Sequence, residues 1–225
     1  MRYEDYFCYS GKGSNEKNED LIGTHSRGVM HLDFICDGMS SYGFGAWASE
    51  IVMQEILKVF ITGPEDESTL QSIIRGTVDA ADKRIWKERL LVKSKFGVTL
   101  GGIISGGNRM YAFWIGDVKI FQVREHTIIF ESQEHSLGRA LELTKGVEQA
   151  YSNGVTASLS GRGIEKLAII ELDLNAGDVI LICSDGIWKA GGFDRILVSD
   201  HGTLQNILSG IQYEDDHSLV RFKVC

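Results

Sequence analysis

The segment Phe34-Ile35-Cys36-Asp37-Gly38-Met39 gives the clearest indication of how this chain folds. Apolar and other side chains alternate between residues 30 and 36, a period of two that predicts a β-strand with one strongly buried face. Asp37 ends the predicted strand, and Gly38 permits a sharp turn that exposes a carbonyl oxygen. A carboxylate at such a place must be solvated, hydrogen-bonded or bound to a cation, because an isolated buried charge is too costly.

A second apolar segment ends in the same way. Residues 179–186 read Val-Ile-Leu-Ile-Cys-Ser-Asp-Gly, so a buried strand again leads to an Asp-Gly pair, here Asp185 and Gly186. Two such strand ends in one chain indicate a shared carboxylate cluster at one edge of a sheet core.

Length and charge limit the classes of function. A chain of 225 residues with 43% hydrophobic and 24% charged residues is typical of one globular domain, which we assign to residues 1–225. The net charge of −8 argues against a nucleic-acid partner bound through its phosphates. The same charge is compatible with a phosphorylated substrate, because divalent cations bound at the site would make the local electrostatic potential positive.

Cysteine spacing and hydropathy indicate the compartment. The four cysteines are far apart and form no CxxC pair, and two of them lie in apolar strands, which favours reduced thiols. The polar N-terminus does not resemble a signal peptide, and no apolar run approaches the length of a membrane span. We therefore expect a cytoplasmic protein without a membrane partner.

Two consecutive helices are predicted in the first half of the chain. Apolar residues recur with helical spacing from Ala46 to the region of Gly63 and Pro64. Ser68 and Gln71 resemble the capping box of a second helix, whose apolar stripe runs through residues 70–85. Because a short loop joins them, the two helices should pack antiparallel and cover a sheet face.

The rest of the chain is predicted to be mainly strands. Residues 96–130 read as an antiparallel meander that begins with a hairpin at residues 106–108. An irregular insert with one short helix follows at residues 134–163. Further strands are predicted at 167–174, 179–183 and 218–224, with short helices in between. The fold class is therefore α+β, with helices on stacked sheets.

Five aspartates mark the edges of predicted strands. They are Asp20, Asp37, Asp117, Asp185 and Asp216. Each alone is typical of a turn, but carboxylates gathered at one sheet edge repel one another unless cations lie between them. Carboxylates, a carbonyl and water suit Mg²⁺ or Mn²⁺, and the lack of clustered histidine or cysteine argues against zinc. Two ions about 4 Å apart would place a hydroxide in line with a phosphorus atom.

The order of these motifs resembles a known family. The relevant segments are Asn18-Glu19-Asp20, Asp37-Gly38-Met39, Gly116-Asp117, Ala176-Gly177-Asp178, Cys183-Ser184-Asp185-Gly186 and Asp215-Asp216-His217. Together they resemble the metal-dependent protein phosphatases of type 2C. The resemblance implies a central antiparallel β-sandwich flanked by pairs of helices, in four layers. It also implies a metal-activated water that attacks phosphoserine or phosphothreonine without a covalent intermediate.

The resemblance also implies roles for individual residues. Asp37 would bridge two Mn²⁺ or Mg²⁺ ions, and the Gly38 carbonyl would bind one of them. Asp185 and Asp216 would complete the other ion's ligands, and Asp117 with Asp185 would hold a looser third ion. Glu19 and Asp20 would orient bound waters. Asp20, Asp37, Asp185 and Asp216 are thus the candidate catalytic set.

Departures from the family pattern affect phosphate binding. Relatives often carry a phosphate-binding arginine where this chain has Asn15, so Lys12 or Lys17 would have to substitute as point charges. An Asp-Asn pair of the family is Asp216-His217 here, and His217 would hydrogen-bond its neighbouring ligand.

The sequence thus predicts a Mn²⁺- or Mg²⁺-dependent serine/threonine protein phosphatase that acts on phosphorylated proteins in signalling and opposes a serine/threonine kinase. Two other interpretations remain open. One is a non-catalytic phosphatase-like module that binds signalling partners, which the loss of the arginine favours. The other is a phosphatase of small phosphoesters on the same fold.

Overall fold

Ten strands form two antiparallel sheets. The computed structural model describes residues 2–40, 43–63, 69–137 and 154–225. One sheet has the order β1-β10-β9-β6-β7, and the other has the order β2-β3-β4-β5-β8. The strands are β1 Tyr3–Gly11, β2 Asp20–Arg27, β3 Met30–Ser40, β4 Phe96–Gly106, β5 Arg109–Ile115, β6 Lys119–Arg124, β7 Thr127–Glu131, β8 Ala168–Glu171, β9 Val179–Cys183 and β10 His217–Val224.

Helices cover the outer face of each sheet. They are α1 Gly45–Thr62, α2 Leu70–Val92, α3 Asp185–Trp188, α4 Phe193–Val198 and α5 His201–Ser209. One apolar cluster joins α1 and α2 to the β3 sheet, a second fills the space between the sheets, and a third lies between the β9 sheet and the three short helices. This four-layer α+β sandwich confirms the predicted fold class. None of the helices in the described ranges is long and apolar enough to cross a membrane.

The strand that carries Asp37 differs from its prediction in two ways. It does not end at Asp37, because β4 runs beside it as far as Ser40 and pairs Asp37 with Thr99 and Gly38 with Val98. Both faces are buried: Phe34 packs on the helices and Ile35 lies between the sheets. Asp37 and Gly38 are therefore held within the ladder, where hydrogen bonds fix their position better than a turn would.

The predicted meander is split between the two sheets. The hairpin of β4 and β5 is present, but β5 continues to β8, whereas β6 pairs with β7 and β9 in the opposite sheet. Gly116 lies at the crossing with a φ of 110°, a backbone conformation that side chains other than glycine rarely adopt. The crossing places Asp117 between the two sheets at one end of the sandwich.

The helix pair agrees with its prediction where it is described. α1 starts and ends within a residue or so of the expected positions and packs against α2. The proposed cap Ser68 lies outside the described residues; the residue that precedes α2 is Thr69, whose side chain makes no capping bond. The predicted insert at 134–163, including its short helix, falls largely outside the described residues.

Asp82 of α2 anchors the chain that follows this insert. Its buried carboxylate accepts backbone N–H bonds from Ser160 at 2.8 Å, Gly161 at 2.7 Å and Gly163 at 2.9 Å. These bonds attach a segment without regular secondary structure to the helix layer. No pattern in the sequence indicates this role, because all three donors belong to the main chain.

We expect Asp82→Ala to lower the free energy of unfolding by about 2–3 kcal/mol, because three N–H groups lose a charged acceptor. Chemical denaturation followed by circular dichroism measures the loss. Asp79→Ala is the matched control on the same helix: its carboxylate pairs with Lys83 at the surface and should contribute less than about 1 kcal/mol. Equal effects of the two substitutions would contradict the anchoring role.

Candidate active site

An acidic cleft lies at the end of the sandwich where β3, β9 and β10 meet. Its volume is about 890 Å³. Its walls include the predicted residues Asn15, Glu19, Asp37, Gly38, Asp117, Asp185 and Asp216, and also Ser14, Lys189, Tyr213 and Asp215. The fold therefore brings together side chains from distant parts of the sequence, as expected for a site at a sheet edge.

Asp20 and Asp37 are direct neighbours on adjacent strands. They form a cross-strand pair between β2 and β3. Asp20 is buried and accepts a hydrogen bond of 2.6 Å from the hydroxyl of Ser184. Burial raises the pKa of Asp20 to about 7, with a smaller contribution from Asp185 and Asp216, although the Ser184 bond lowers it. Burial and the neighbouring carboxylates thus disfavour the ionised form of Asp20 in the absence of a cation.

The surroundings of Asp37 disfavour its charged form. Its pKa is raised well above the usual range, first by desolvation and then by nearby carboxylates. Those carboxylates are Asp20, Asp185, Asp117 and Asp215. Asp37 and these carboxylates comprise four of the five predicted aspartates together with Asp215, whereas Asp216 is not among the main groups that act on Asp37.

Asp117 is buried, and its Oδ1 has no hydrogen-bond partner. Burial and, to a smaller extent, the charge of Asp185 together raise its pKa to about 6, although the charge of Lys189 lowers it. The hydroxyl of Thr99 faces Asp117 and favours its charged form, but this hydroxyl too lacks a partner at hydrogen-bond geometry. A buried carboxylate oxygen without a donor is costly, which indicates that a cation or water completes the site.

Two residues outside the predicted set position Asp117. The ring Nδ1 of His135 accepts a hydrogen bond of 3.0 Å from the backbone N–H of Gly116, and the backbone N–H of His135 donates to the Gly116 carbonyl at 2.8 Å. The indole N–H of Trp188 donates to the main-chain oxygen of Asp117 at 2.9 Å. Burial lowers the pKa of His135, which agrees with an Nδ1 that accepts.

Asp185 begins α3 and forms an ion pair at 2.7 Å with Lys189, four residues along the chain. Burial alone would lower the pKa of Lys189, but Asp185, Asp117 and Asp37 favour its charged form, and the net result is a raised pKa. Gly186, which follows Asp185 in the sequence, lies against the main chain of Asp216. A Cβ added at Gly186 would come within 2.1 Å of the Asp216 carbonyl oxygen.

Asp216 is turned toward the loop that precedes β2. Its carboxylate accepts the backbone N–H groups of Gly13 and Glu19, each at 2.8 Å, and a longer bond of 3.4 Å from the amide of Asn15. The adjacent Asp215 instead has its pKa raised, first by burial and then by the charges of Asp185 and Asp216. The structure thus gives Asp216 contacts with this loop, while the carboxylate of Asp215, on the same cleft wall, accepts the backbone N–H of Asp216 at 2.9 Å.

Glu19 and Gly38 join the cleft to the start of α1. The carboxylate of Glu19 accepts N–H bonds from Gly45 and Ala46, at a helix start that has no capping side chain of its own. The main-chain oxygen of Glu19 accepts bonds from Gly38 N–H at 3.1 Å and from the Ser49 hydroxyl at 2.7 Å. A side chain at Gly38 would meet the Gly45 oxygen at 2.2 Å, so close approach explains this glycine.

His217 is buried beside the cleft. Its ring stacks on Tyr213 with a centroid distance of 3.6 Å, and its Nδ1 lies 3.1 Å from the main-chain oxygen of Asp215. Because a carbonyl only accepts, this nitrogen carries the proton. The contact holds the backbone that carries Asp215, whereas the prediction was a bond to a ligand carboxylate.

The residues predicted to bind phosphate separate into two groups. Asn15 lies on the cleft wall. Lys12 and Lys17 are exposed on the loop outside it, and the ammonium of Lys12 reaches the main-chain oxygen of Glu16 at 3.5 Å. Lys189, which the prediction did not include, is the lysine that lines the described part of the cleft.

The donor set fits a hard divalent cation. The cleft offers several carboxylates, the main chain of Gly38 and a buried Asp117 oxygen that has no hydrogen-bond partner. In the described ranges, no group of three or more histidine, cysteine, aspartate or glutamate side chains is arranged closely enough to hold a metal ion by side chains alone. Mg²⁺ and Mn²⁺ keep several waters and bind through few carboxylates, so the cleft suits them better than zinc.

Comparison with known protein families identifies the family of this chain. A family model described as Protein phosphatase 2C matches residues 9–209. The chain belongs to the protein phosphatase 2C family. This confirms the resemblance drawn from the motifs. The matched range ends before β10, so Asp215 and Asp216 lie outside it.

Two relatives illustrate how far sequence similarity extends in this phosphatase 2C family member. A putative protein phosphatase of Mycoplasma pneumoniae is 25% identical over 199 residues, which cover 80% of this chain and 77% of that protein. The serine/threonine protein phosphatase PstP of Mycobacterium tuberculosis is 25% identical over 178 residues, which cover 76% of this chain and 33% of PstP. The alignment with PstP thus spans about a third of that protein.

Solved structures show the same fold. The serine/threonine phosphatase of S. agalactiae has a TM-score of 0.87 at 18% identity, with 100% of both chains covered. The catalytic domain of PstP in complex with two manganese ions has a TM-score of 0.80 at 23% identity, with 98% of both chains covered. At these identities the likeness establishes the architecture, and the chemistry must be argued from the cleft.

In a chelating buffer, we expect the free energy of unfolding to fall as the pH rises from about 5 to about 8. The folded-state pKa is raised to about 7 for Asp20 and about 6 for Asp117, and it is raised for Asp37. A carboxyl with a raised folded-state pKa stabilises the fold below its unfolded value, and this stabilisation is lost as pH rises through the folded value.

Urea denaturation with chelator at several pH values measures this trend. Asp20→Asn should flatten it, and saturating Mn²⁺ should restore stability at pH 8. A metal-free protein whose stability is constant or increases over this range would show that the carboxylates do not repel one another.

Proposed function

We propose that this chain hydrolyses phosphoserine and phosphothreonine in proteins with the help of Mn²⁺ or Mg²⁺. The observation that carries the proposal is the gathering of Asp37, Asp117, Asp185 and Asp215 on the walls of one cleft in a protein phosphatase 2C fold, with Asp20 paired to Asp37 across the strands. Family membership supports phosphate ester hydrolysis, and the acidic cluster supports its dependence on metal. Without cations, this cleft would repel a phosphate group.

Asp37 is the residue best placed to be shared between two ions, because it is the carboxylate on which the others converge. Asp117 and Asp185 approach it from the opposite sheet. Two divalent cations supply an activated water and neutralise charge on the phosphoryl group. Asp20, held by Ser184, is placed to accept a proton or orient water beside Asp37.

We further propose that Asp215 is a metal ligand in place of Asp216. The carboxylate of Asp216 is committed to two main-chain N–H groups and to the amide of Asn15. Both aspartates line the cleft, but the charge of Asp215 acts on Asp37, whose main perturbing groups do not include Asp216. Asp215 accepts a single bond within the cleft wall, from the backbone N–H of Asp216 at 2.9 Å. In this assignment, Asp216 shapes the loop from Gly13 to Glu19, and Asp215 faces the ions.

The open cleft favours a phosphorylated side chain on a protein surface. The relatives of Mycoplasma pneumoniae and Mycobacterium tuberculosis are both named protein phosphatases. A kinase that produces the phosphorylated substrate is implied by this chemistry. Hydrolysis of small phosphoesters remains the second candidate, because the wall residue Asn15 lacks the guanidinium that would fix a phosphopeptide.

Asp37→Ala and Asp185→Ala are expected to lower metal-dependent phosphate release by about 10³-fold or more, since each removes charge stabilisation of several kcal/mol. A phosphothreonine peptide and p-nitrophenyl phosphate are tested in parallel with Mn²⁺, Mg²⁺ and chelator. The comparison of the two substrates separates a protein phosphatase from a small-phosphoester phosphatase. Activity of the wild type that persists in chelator, or activity retained by either variant, would rule out the metal mechanism.

Asp215→Asn and Asp216→Asn should have opposite effects. Asp215→Asn removes a repelling charge, so the metal-free protein should become more stable while Mn²⁺ binding weakens. Asp216→Asn keeps one acceptor oxygen and replaces the other by an NH₂ group, so one of the two N–H groups loses its acceptor, which should cost about 1–2 kcal/mol with Mn²⁺ affinity largely kept. Thermal melting in chelator and calorimetric Mn²⁺ titration measure both quantities. The reverse pattern would return the ligand role to Asp216.

A further inference from the structure

Lys189 occupies an unusual place for a cation in an acidic cleft. Its ammonium lies 2.7 Å from Asp185 Oδ2, and its side chain is 30% exposed while that of Asp185 is 18% exposed. The Lys83–Asp79 pair of α2 has the same sequence spacing but exposures of 70% and 42%. Because solvent screens the Lys189 pair less, its charge acts more strongly on its surroundings.

The position of the Lys189 ammonium is constrained by its neighbours. It lies 4.9 Å from the centroid of the Trp188 ring, and the Lys119 ammonium lies 4.4 Å from the same ring. The Trp188 indole is itself fixed by its bond to the Asp117 main chain. Lys119 is engaged by Glu131 and Glu134. Lys189 is therefore directed toward Asp185, with the aromatic ring beside it.

Asp117 supplies the second observation. Its buried Oδ1 has no donor, and the charges of Asp185 and Lys189 both act on it. The pair Asp117 and Asp185 is the place where the sequence predicts a loosely held third ion. A cation attached to the chain is already present there.

We propose that the Lys189 ammonium is a tethered counter-cation for Asp117 and Asp185, which excludes a loosely bound metal ion from this part of the cleft. This inference rests on the proposed metal-dependent function. It assigns the ions to the side of the cluster around Asp37 and Asp215. An ammonium and a divalent ion cannot share the same carboxylate oxygens closely, because like charges at short distance repel.

The test is a calorimetric titration of Mn²⁺ into the wild type, Lys189→Met and Lys189→Arg. Methionine keeps much of the length of the lysine stem and removes the charge, and arginine keeps the charge. We expect Lys189→Met to bind one more Mn²⁺ ion per chain than the wild type and Lys189→Arg to bind the same number. Lys83→Met, which removes the surface pair of equal spacing, is the matched control and should leave the titration unchanged.

Thermal melting gives a second readout that does not depend on turnover. In chelator, Lys189→Met should melt at a lower temperature than Lys83→Met, and saturating Mn²⁺ should remove the difference, because metal replaces the lost ammonium. Identical Mn²⁺ stoichiometry and affinity in the wild type and Lys189→Met would overturn the inference.

The two hypotheses fail in different ways. If the wild type binds no Mn²⁺ but Lys189→Met does, the counter-cation is supported and the proposed metal-dependent function fails. If neither protein binds Mn²⁺, both are overturned. If the wild type binds Mn²⁺ and the methionine variant gains no ion, only the role of Lys189 is rejected.

Discussion

Mutual repulsion among carboxylates is the constraint on which the cleft depends. The ladder of β2, β3 and β4 sets Asp20 beside Asp37, and the crossing at Gly116 brings Asp117 to the same end of the sandwich. Burial alone raises the pKa values of these groups, and their proximity raises them further. A rigid double sheet can hold such charges close together because its hydrogen bonds and apolar layers oppose their separation.

The surrounding structure reduces this repulsion with fixed donors and one fixed cation. Ser184 donates to Asp20, main-chain N–H groups donate to Asp216, and the start of α1 receives the carboxylate of Glu19. Lys189 supplies a positive charge next to Asp185. These contacts leave the carboxylate of Asp37 without a donor among the described contacts, and hence as the group with most to gain from a bound divalent ion.

Sequence patterns predicted more of the fold than of the site's details. Alternating apolar residues and the Asp-Gly pairs located β3 and β9, and helical periodicity located α1 and α2. The continuation of β3 beyond Asp37 was missed, because the partner residues of β4 lie about sixty positions away and only pairing reveals them. The division of β5 and β6 between two sheets was missed as well. A glycine begins both a hairpin and a crossing between sheets, so only the pairing of distant strands distinguishes the two.

The sequence by itself determined the chemistry available to this protein: aspartates at strand edges, few candidate histidines, and the motif order of the protein phosphatase 2C family. Tertiary structure decided which of those groups face one another. Asp215 and Asp216 are adjacent in sequence and both line the cleft, yet the carboxylate of Asp216 accepts main-chain N–H bonds from the loop before β2, whereas that of Asp215 accepts the N–H of Asp216 itself. The roles of Lys189, His135 and Asp82 also appeared only in three dimensions. Local patterns encode burial and periodicity, whereas electrostatic partners are set by long-range register.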